Sequence, residues 1–255
     1  MSEPGSLIRA RSGRSAAANF HSFIINEIGA GIVAGGFPVG SILPRDAELM
    51  DMYGVSRTVL REALKTLEAK GLVEARPKVG TRVSPRSRWA LFDHQVLLWH
   101  FEAGLDPVFV HYLFDIRRLM ELETVRLAAR HRTADHIRML YYWLQQMSVS
   151  RGMPDSFALA TLELHRVLAD AALNPMLRAS LSVTEFTLAA AMPAGESRGD
   201  DLFYEAAVVR RRNLVQAVEA GQADEAELCL REAIAIDLES AEQRMVPLSD
   251  SAEAG

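Results

Sequence analysis

Residues 43–83 read LPRDAELMDMYGVSRTVLREALKTLEAKGLVEARPKVGTRV, and they constrain the chain more than any other stretch. After Pro44, residues 45–52 fit a short helix, and Gly54 and Val55 turn the chain. Ser56 is a suitable N-cap for a second helix that runs to about Lys70. Gly71 closes that helix. Leu60, Leu64 and Leu67 fall on one face, at the spacing that buries a helix against a small core. Arg57, Arg61 and Lys65, spaced by four, share another face. Residues 72–76 and 81–83 pair as short strands around a turn at 77–80, forming a wing. A short helix with cations on its outer face and at its N-terminal end suits a DNA major groove.

Charge is unevenly divided. Residues 1–90 carry 13 Lys and Arg against 8 Asp and Glu, a net of +5. Residues 91–255 carry 15 against 25, a net of -10, and contain no lysine. A basic head on an acidic body suits a protein that touches nucleic acid at one end. Hydrophobic residues make up 49% of the 255, ample for folded cores, and the length allows two domains. No apolar run approaches the ~20 residues that cross a bilayer, so no membrane partner is expected. The N-terminus has no continuous apolar stretch of the signal-peptide kind. Cys229 is alone, which excludes an internal disulfide and a cysteine zinc site. A reducing cytoplasm is the expected setting.

The chain divides by composition into a flexible arm at 1–18, a winged helix-turn-helix at 19–84, a linker at 85–93, an all-helical domain at 94–246 and a flexible tail at 247–255. The arm is rich in Ser, Gly, Ala and Arg, with little to bury. Phe20, Phe23, Ile24, Ile28 and Ile32 give residues 19–34 one apolar side. Beyond Trp89 the periodicity is helical, with helices near 94–103, 107–132, 134–150, 155–173, 175–191, 201–220 and 223–245. Residues 193–199 (PAGESRG) form the loosest connection. The fold class is mainly α: an N-terminal winged helix-turn-helix and a C-terminal bundle of six or seven helices. No nucleophile motif, phosphate loop or catalytic carboxylate pair is present, so an enzyme is not expected.

The N-terminal pattern resembles the GntR family of bacterial winged-helix regulators. The residues that carry the likeness are Gly40 before LP, then VSR, LREAL and GL, and Gly80, Thr81, Arg82 and Val83 of the wing. The remainder is similar to the FadR-type (FCD) branch of that family. It shares IRRLMELETVRLAARH at 116–131, LELHRVLADAALNPML at 162–177 and LVQAVEAGQADEAE at 214–227. RSRWALFDHQVLLW at 86–99 further resembles regulators of sugar-acid catabolism of the galactonate type.

The resemblance implies DNA contacts at Arg45, Ser56, Arg57, Thr58, Arg61 and Gly80. Physical reasoning runs the same way. Arg57 and Thr58 sit in the first turn of the recognition helix, and Arg61 could hold guanine O6 and N7 through two bonds. Ser56 and the helix start offer N–H donors to a phosphate, and Gly80 lets the wing backbone approach closely. Ala47 stands where the FadR-type pattern often has arginine.

Many proteins of this branch hold a divalent metal with one aspartate and three histidines. The matching positions here are Thr161, His165, Arg211 and Ala233. One imidazole cannot hold such an ion tightly and Arg211 would repel it, so no metal and no cofactor is expected. A guanidinium binds carboxylates bidentately. The expected effector site is therefore Arg117, Thr161, His165 and Arg211, with Arg211 supplying the positive charge of the missing metal. Arg117 also stands one turn before Glu121, and an ordinary i,i+4 pair is the competing reading.

The expected protein is a regulator, of the repressing kind common in the family. It would bind a palindromic double-stranded DNA operator as a homodimer and answer to a small organic acid such as a sugar acid. Two other readings stay open: a metal-free acyl-CoA-type sensor, and an architectural DNA-binding protein without an effector.

Overall fold

The computed structural model describes Gly5, Leu7, Ile8 and residues 20–192 and 200–245. The chain forms two compact units. Among the described residues, the first comprises 20–104 and the second Gly5, Leu7, Ile8, 105–192 and 200–245.

In the first unit, α1 (Phe20–Val33), α2 (Asp46–Tyr53) and α3 (Arg57–Ala69) are followed by β1 (Val73–Arg76), β2 (Gly80–Val83) and α4 (His94–Glu102). Ile24, Ile28 and Ile32 of α1, Leu49 of α2, and Leu60 and Leu67 of α3 bury together with Val73 and Val83 of the strands. The local chemistry matches the sequence. Ser56 Oγ accepts from the Val59 N–H at 3.4 Å and starts α3. At its end, the Leu72 N–H donates to the Leu67 carbonyl at 3.0 Å, and Gly71 takes φ 75. A Cβ on Gly71 would lie 2.0 Å from the Arg88 carbonyl oxygen, so only glycine fits there. The strands are antiparallel, with Val73 opposite Val83 and Arg76 opposite Gly80.

The helix at 94–103, expected in the C-terminal domain, belongs to the first unit. Trp99 of α4 is fully buried. Its ring occupies the space where a Cβ on Gly29 of α1 would stand, 2.5 Å from the ring carbons. Asn26 Oδ1 accepts from Trp99 Nε1 at 3.1 Å and from Gln95 Nε2 at 2.9 Å. Lys70 also pairs with Asp93, the N-cap of α4, at 2.7 Å. These bonds bind α4 to α1 and α3, and the unit ends at Gly104.

Among the described residues the second unit holds α5 (Pro107–His131), α6 (Ala134–Val149), α7 (Pro154–Ala171), α8 (Pro175–Ala179), α9 (Leu181–Ala191), α10 (Asp200–Ala220) and α11 (Ala223–Met245). Sequence reading ran α8 and α9 together. The structure breaks them at Ser180, whose N–H and hydroxyl both donate to the Leu177 carbonyl. α9 touches α5, α7 and α11, and every residue from Val183 to Ala191 is buried, so it is the central helix.

The expected flexible arm departs from the structure where it is described. Gly5, Leu7 and Ile8 are buried in the second unit, Leu7 and Ile8 with no exposed surface. The Leu7 N–H donates to Glu185 Oε1 on α9 at 2.7 Å. Two consecutive branched apolar side chains give this stretch something to bury after all. The rest of the arm, the 193–199 connection and the tail at 247–255 lie outside the described residues.

Candidate DNA-binding and effector sites

The first unit presents its functional side chains on α3 and the wing. Ser56, Arg57, Thr58 and Arg61 are all exposed, as are Arg45 at the head of α2 and Gly80 at the start of β2. The apolar face of α3 turned inward leaves the opposite face to solvent, which is how the fold aims these groups. Lys65 pairs with Glu62 at 2.8 Å. Among the described residues, no acidic partner engages the side chain of Arg57 or Arg61. Neither arginine pairs with Glu62 or Asp46. Arg61, Lys65, Arg76 and Gly80 line an open groove of about 530 Å³ between α3 and the wing. Gly80 has φ 117, and its Cα face is bordered by Ile42, 3.4 Å from where a Cβ would be. The N–H groups of the first turn of α3 have no intrahelical acceptor and point out of the helix end.

The second unit encloses a cluster of charges assembled from five helices. Arg117 Nε on α5 donates to Glu121 Oε2 at 2.8 Å. Arg117 Nη1 lies 3.0 Å from Asp237 Oδ2 on α11. Arg211 Nη2 on α10 donates to both Asp237 oxygens, at 3.0 and 2.8 Å. Glu121 Oε1 meets His165 Nδ1 of α7 at 2.7 Å and accepts from the Thr184 hydroxyl of α9 at 2.9 Å. All six side chains are buried. Burial pushes the Glu121 carboxyl up, but His165 and Arg117 beside it hold it well below the usual carboxylate range. Burial acts the same way on Asp237, and Arg211 and Arg117 outweigh it. For the Arg117 guanidinium, burial alone would lower the pKa, but Glu121 and Asp237 raise it.

The structure brings Arg117, His165 and Arg211 together. Thr161 is buried one turn before His165, and its hydroxyl donates to its own helix, to the Phe157 carbonyl at 2.8 Å. The basic run 210–212 is not uniformly exposed: Arg211 is buried, Arg210 half-buried and Arg212 exposed. Sequence reasoning missed Asp237 and Thr184. Asp237 lies four residues after Ala233, on the same helical face as the expected ligand position, and that spacing was the available signal.

The residues present do not fit a divalent metal. Among the described residues, no three His, Cys, Asp or Glu side chains gather as ligands. Both carboxylates of the cluster are engaged by guanidinium groups that would repel a cation. What remains open is the reverse polarity. Arg117 Nη2, Arg211 Nε and Nη1, and His165 Nε2 are buried without a hydrogen-bond partner. Unpaired buried donors of this kind cost free energy and suit an anionic or hydroxyl-bearing ligand.

A winged helix-turn-helix with open arginines, followed by a helical unit with a buried charge cluster, defines a DNA-binding transcription regulator. The chain belongs to the GntR family. Residues 21–83 match "Bacterial regulatory proteins, gntR family", and residues 112–235 match the FCD domain, which makes it a FadR-type member. It is similar to the galactonate operon transcriptional repressor of Escherichia coli (strain K12), 29% identical over 80% of this chain and 89% of the relative. It is also similar to the transcriptional repressor NanR of Salmonella schwarzengrund (strain CVM19633), 30% identical over 76% of this chain and 74% of that protein. The solved structure of Lar, which controls expression of the Listeria monocytogenes agr system, shares the fold. It aligns with a TM-score of 0.61 at 17% identity, over 90% of this chain and 99% of Lar. Both families and these relatives are regulators, and the chain is not an enzyme.

Proposed function

We propose that this regulator represses transcription by binding a palindromic operator as a homodimer, and that a small carboxylate, of the sugar-acid kind, controls it from the helical unit. Arg57, Thr58 and Arg61 read the major groove, Arg45 and Ser56 take phosphates, and Gly80 admits the wing backbone. Two recognition helices need two half-sites, which is the reason for the dimer. Val108, Tyr112 and Leu119, interrupted by Asp115, form an exposed apolar stripe on α5 that a second copy would cover. The work is done in the cytoplasm, where the operator is.

One observation carries the effector reading: two buried guanidinium groups, Arg117 and Arg211, with N–H donors left over. A carboxylate satisfies them, with His165 for a neighbouring hydroxyl or oxygen and Thr161 at the edge of the site. The name of the galactonate operon repressor points to the same ligand class. A charged, hydrogen-bonding cluster favours a small acid over an acyl chain.

A thermal-shift screen of sugar acids, followed by gel shifts with operator DNA, tests this reading. A sugar acid that raises the melting temperature and releases DNA, with both effects lost in Arg211→Met, is the expected result. Equal affinity in the wild type and Arg211→Met would remove Arg211 from the site.

A further inference from the structure

The cluster already contains a carboxylate where an effector's carboxylate would go. Asp237 Oδ1 and Oδ2 both accept from Arg211 Nη2, and Oδ2 lies 3.0 Å from Arg117 Nη1. One side-chain carboxylate therefore bridges the two guanidinium groups that the effector reading requires.

Charge counting decides what an incoming anion must do. The fully buried groups are two guanidiniums, Arg117 and Arg211, and two carboxylates, Glu121 and Asp237, beside His165. Among the two guanidiniums and two carboxylates the charges already balance. A third carboxylate added to them would place an uncompensated negative charge in the interior, which is strongly unfavourable. Space argues in the same direction. The cavity beside Glu121, His165 and Thr184 is about 10 Å³, room for about one water, and neither Arg117 nor Arg211 lines it. Exchange avoids both costs, because one carboxylate leaves as another arrives.

A receiver for the displaced group is at hand. Arg210 adjoins Arg211, is half-buried, and has an Nε without a hydrogen-bond partner. It lies close enough to feel the charges of both Arg211 and Asp237. Resting on the effector reading above, we propose that Asp237 is an internal stand-in for the effector's carboxylate, and that a small hydroxy acid binds by exchanging with it on Arg117 and Arg211. Asp237 then sets the affinity: it competes with every anion that enters. The exchange also gives the ligand a direct hold on α11, since the bond it breaks is one that fixes that helix to α5 and α10.

The test compares wild type, Asp237→Asn and Asp237→Ser in calorimetric titrations with D-galactonate, lactate and acetate. Removing the competitor should tighten carboxylate binding at least tenfold and enlarge the ligand-induced rise in melting temperature. Equal or weaker binding by both variants, where the wild type binds and Arg211→Met does not, overturns the exchange and leaves the effector site standing. No binding by any of these proteins overturns both. Should either variant fold only when a carboxylate is supplied, that rescue supports the exchange. A crystal structure of the wild type grown with D-galactonate gives an independent reading. The Arg211–Asp237 bond, now 2.8 Å, should be opened and a ligand carboxylate should replace it. A ligand bound with that bond intact overturns the proposal.

Discussion

Lys65 pairs with Glu62 at 2.8 Å on the outer face of α3, while Arg61, one turn earlier, stays open. Three cations that look equivalent in sequence are therefore unequal. Arg61→Ala should cost about 1–3 kcal/mol of specific operator affinity and leave the fold and dimer intact. Lys65→Ala should cost less and act alike on all DNA sequences. Fluorescence anisotropy with operator and scrambled duplexes measures both, and equal losses would refute the ranking.

The buried pair Arg211–Asp237 predicts asymmetric stability effects. Arg211→Met strands a carboxylate in the interior and should destabilise the helical unit by about 3–5 kcal/mol. The double variant Arg211→Met with Asp237→Leu removes both charges and should recover most of that loss. Urea unfolding of the three proteins checks the pattern.

Acid should unfold the helical unit by titrating the same cluster. The carboxyls of Glu121 and Asp237 have folded pKa values below their unfolded ones. Their contribution is therefore fully present above about pH 4 and is lost as pH falls from there toward the folded values. The melting temperature should drop steeply below about pH 4. Glu121→Gln should start lower and show a shallower acid limb. An unchanged slope in that variant would show that other groups control acid unfolding.

Gly71→Ala should damage the first unit. The position has φ 75, and the new methyl would meet the Arg88 carbonyl oxygen at 2.0 Å. The loss should exceed the ~1 kcal/mol typical of a glycine replaced where φ is unsuitable. Circular dichroism melts resolve it. The same change at Gly35, where nothing lies within 4 Å of the added carbon, is the control for a left-handed φ without the clash.

Leu7→Asp should lower the stability of the second unit. It replaces a fully buried apolar side chain beside the buried Glu185 carboxylate. Burying leucine contributes about 1.5–3 kcal/mol, and a charge adds to the loss. A freely solvated arm would instead leave the melting temperature unchanged.

Local chemistry explains what was legible beforehand. Gly54, Ser56 and Gly71 each enforce a turn or cap through their own backbone or side chain, so the winged segment could be drawn residue by residue. The unit to which α4 belongs could not, because Trp99 chooses its partner by the gap at Gly29, about seventy positions away. Ser180 carries no strong breaking signal, which hid the division between α8 and α9. Arg117, His165 and Arg211 were found by their match to family positions. Asp237 was not: α11 is rich in acids, and only the spacing of four from Ala233 marks this one as turned inward. Leu7 and Ile8 were overlooked because two apolar residues show no periodicity.

The docking of Leu7 and Ile8 has a topological consequence. Along the chain, the winged unit is an excursion out of the helical one, which holds Leu7 and Ile8 and resumes at Leu105. Both connections are covalent, but Leu7 and Ile8 ahead of the winged unit are held on the helical unit only by packing and by the bond from the Leu7 amide to Glu185. A protease cut after Gly104 would leave the DNA reader attached through this clasp alone. The clasp would then act as a separable intermolecular contact, stripped of the high effective concentration that the intact chain confers.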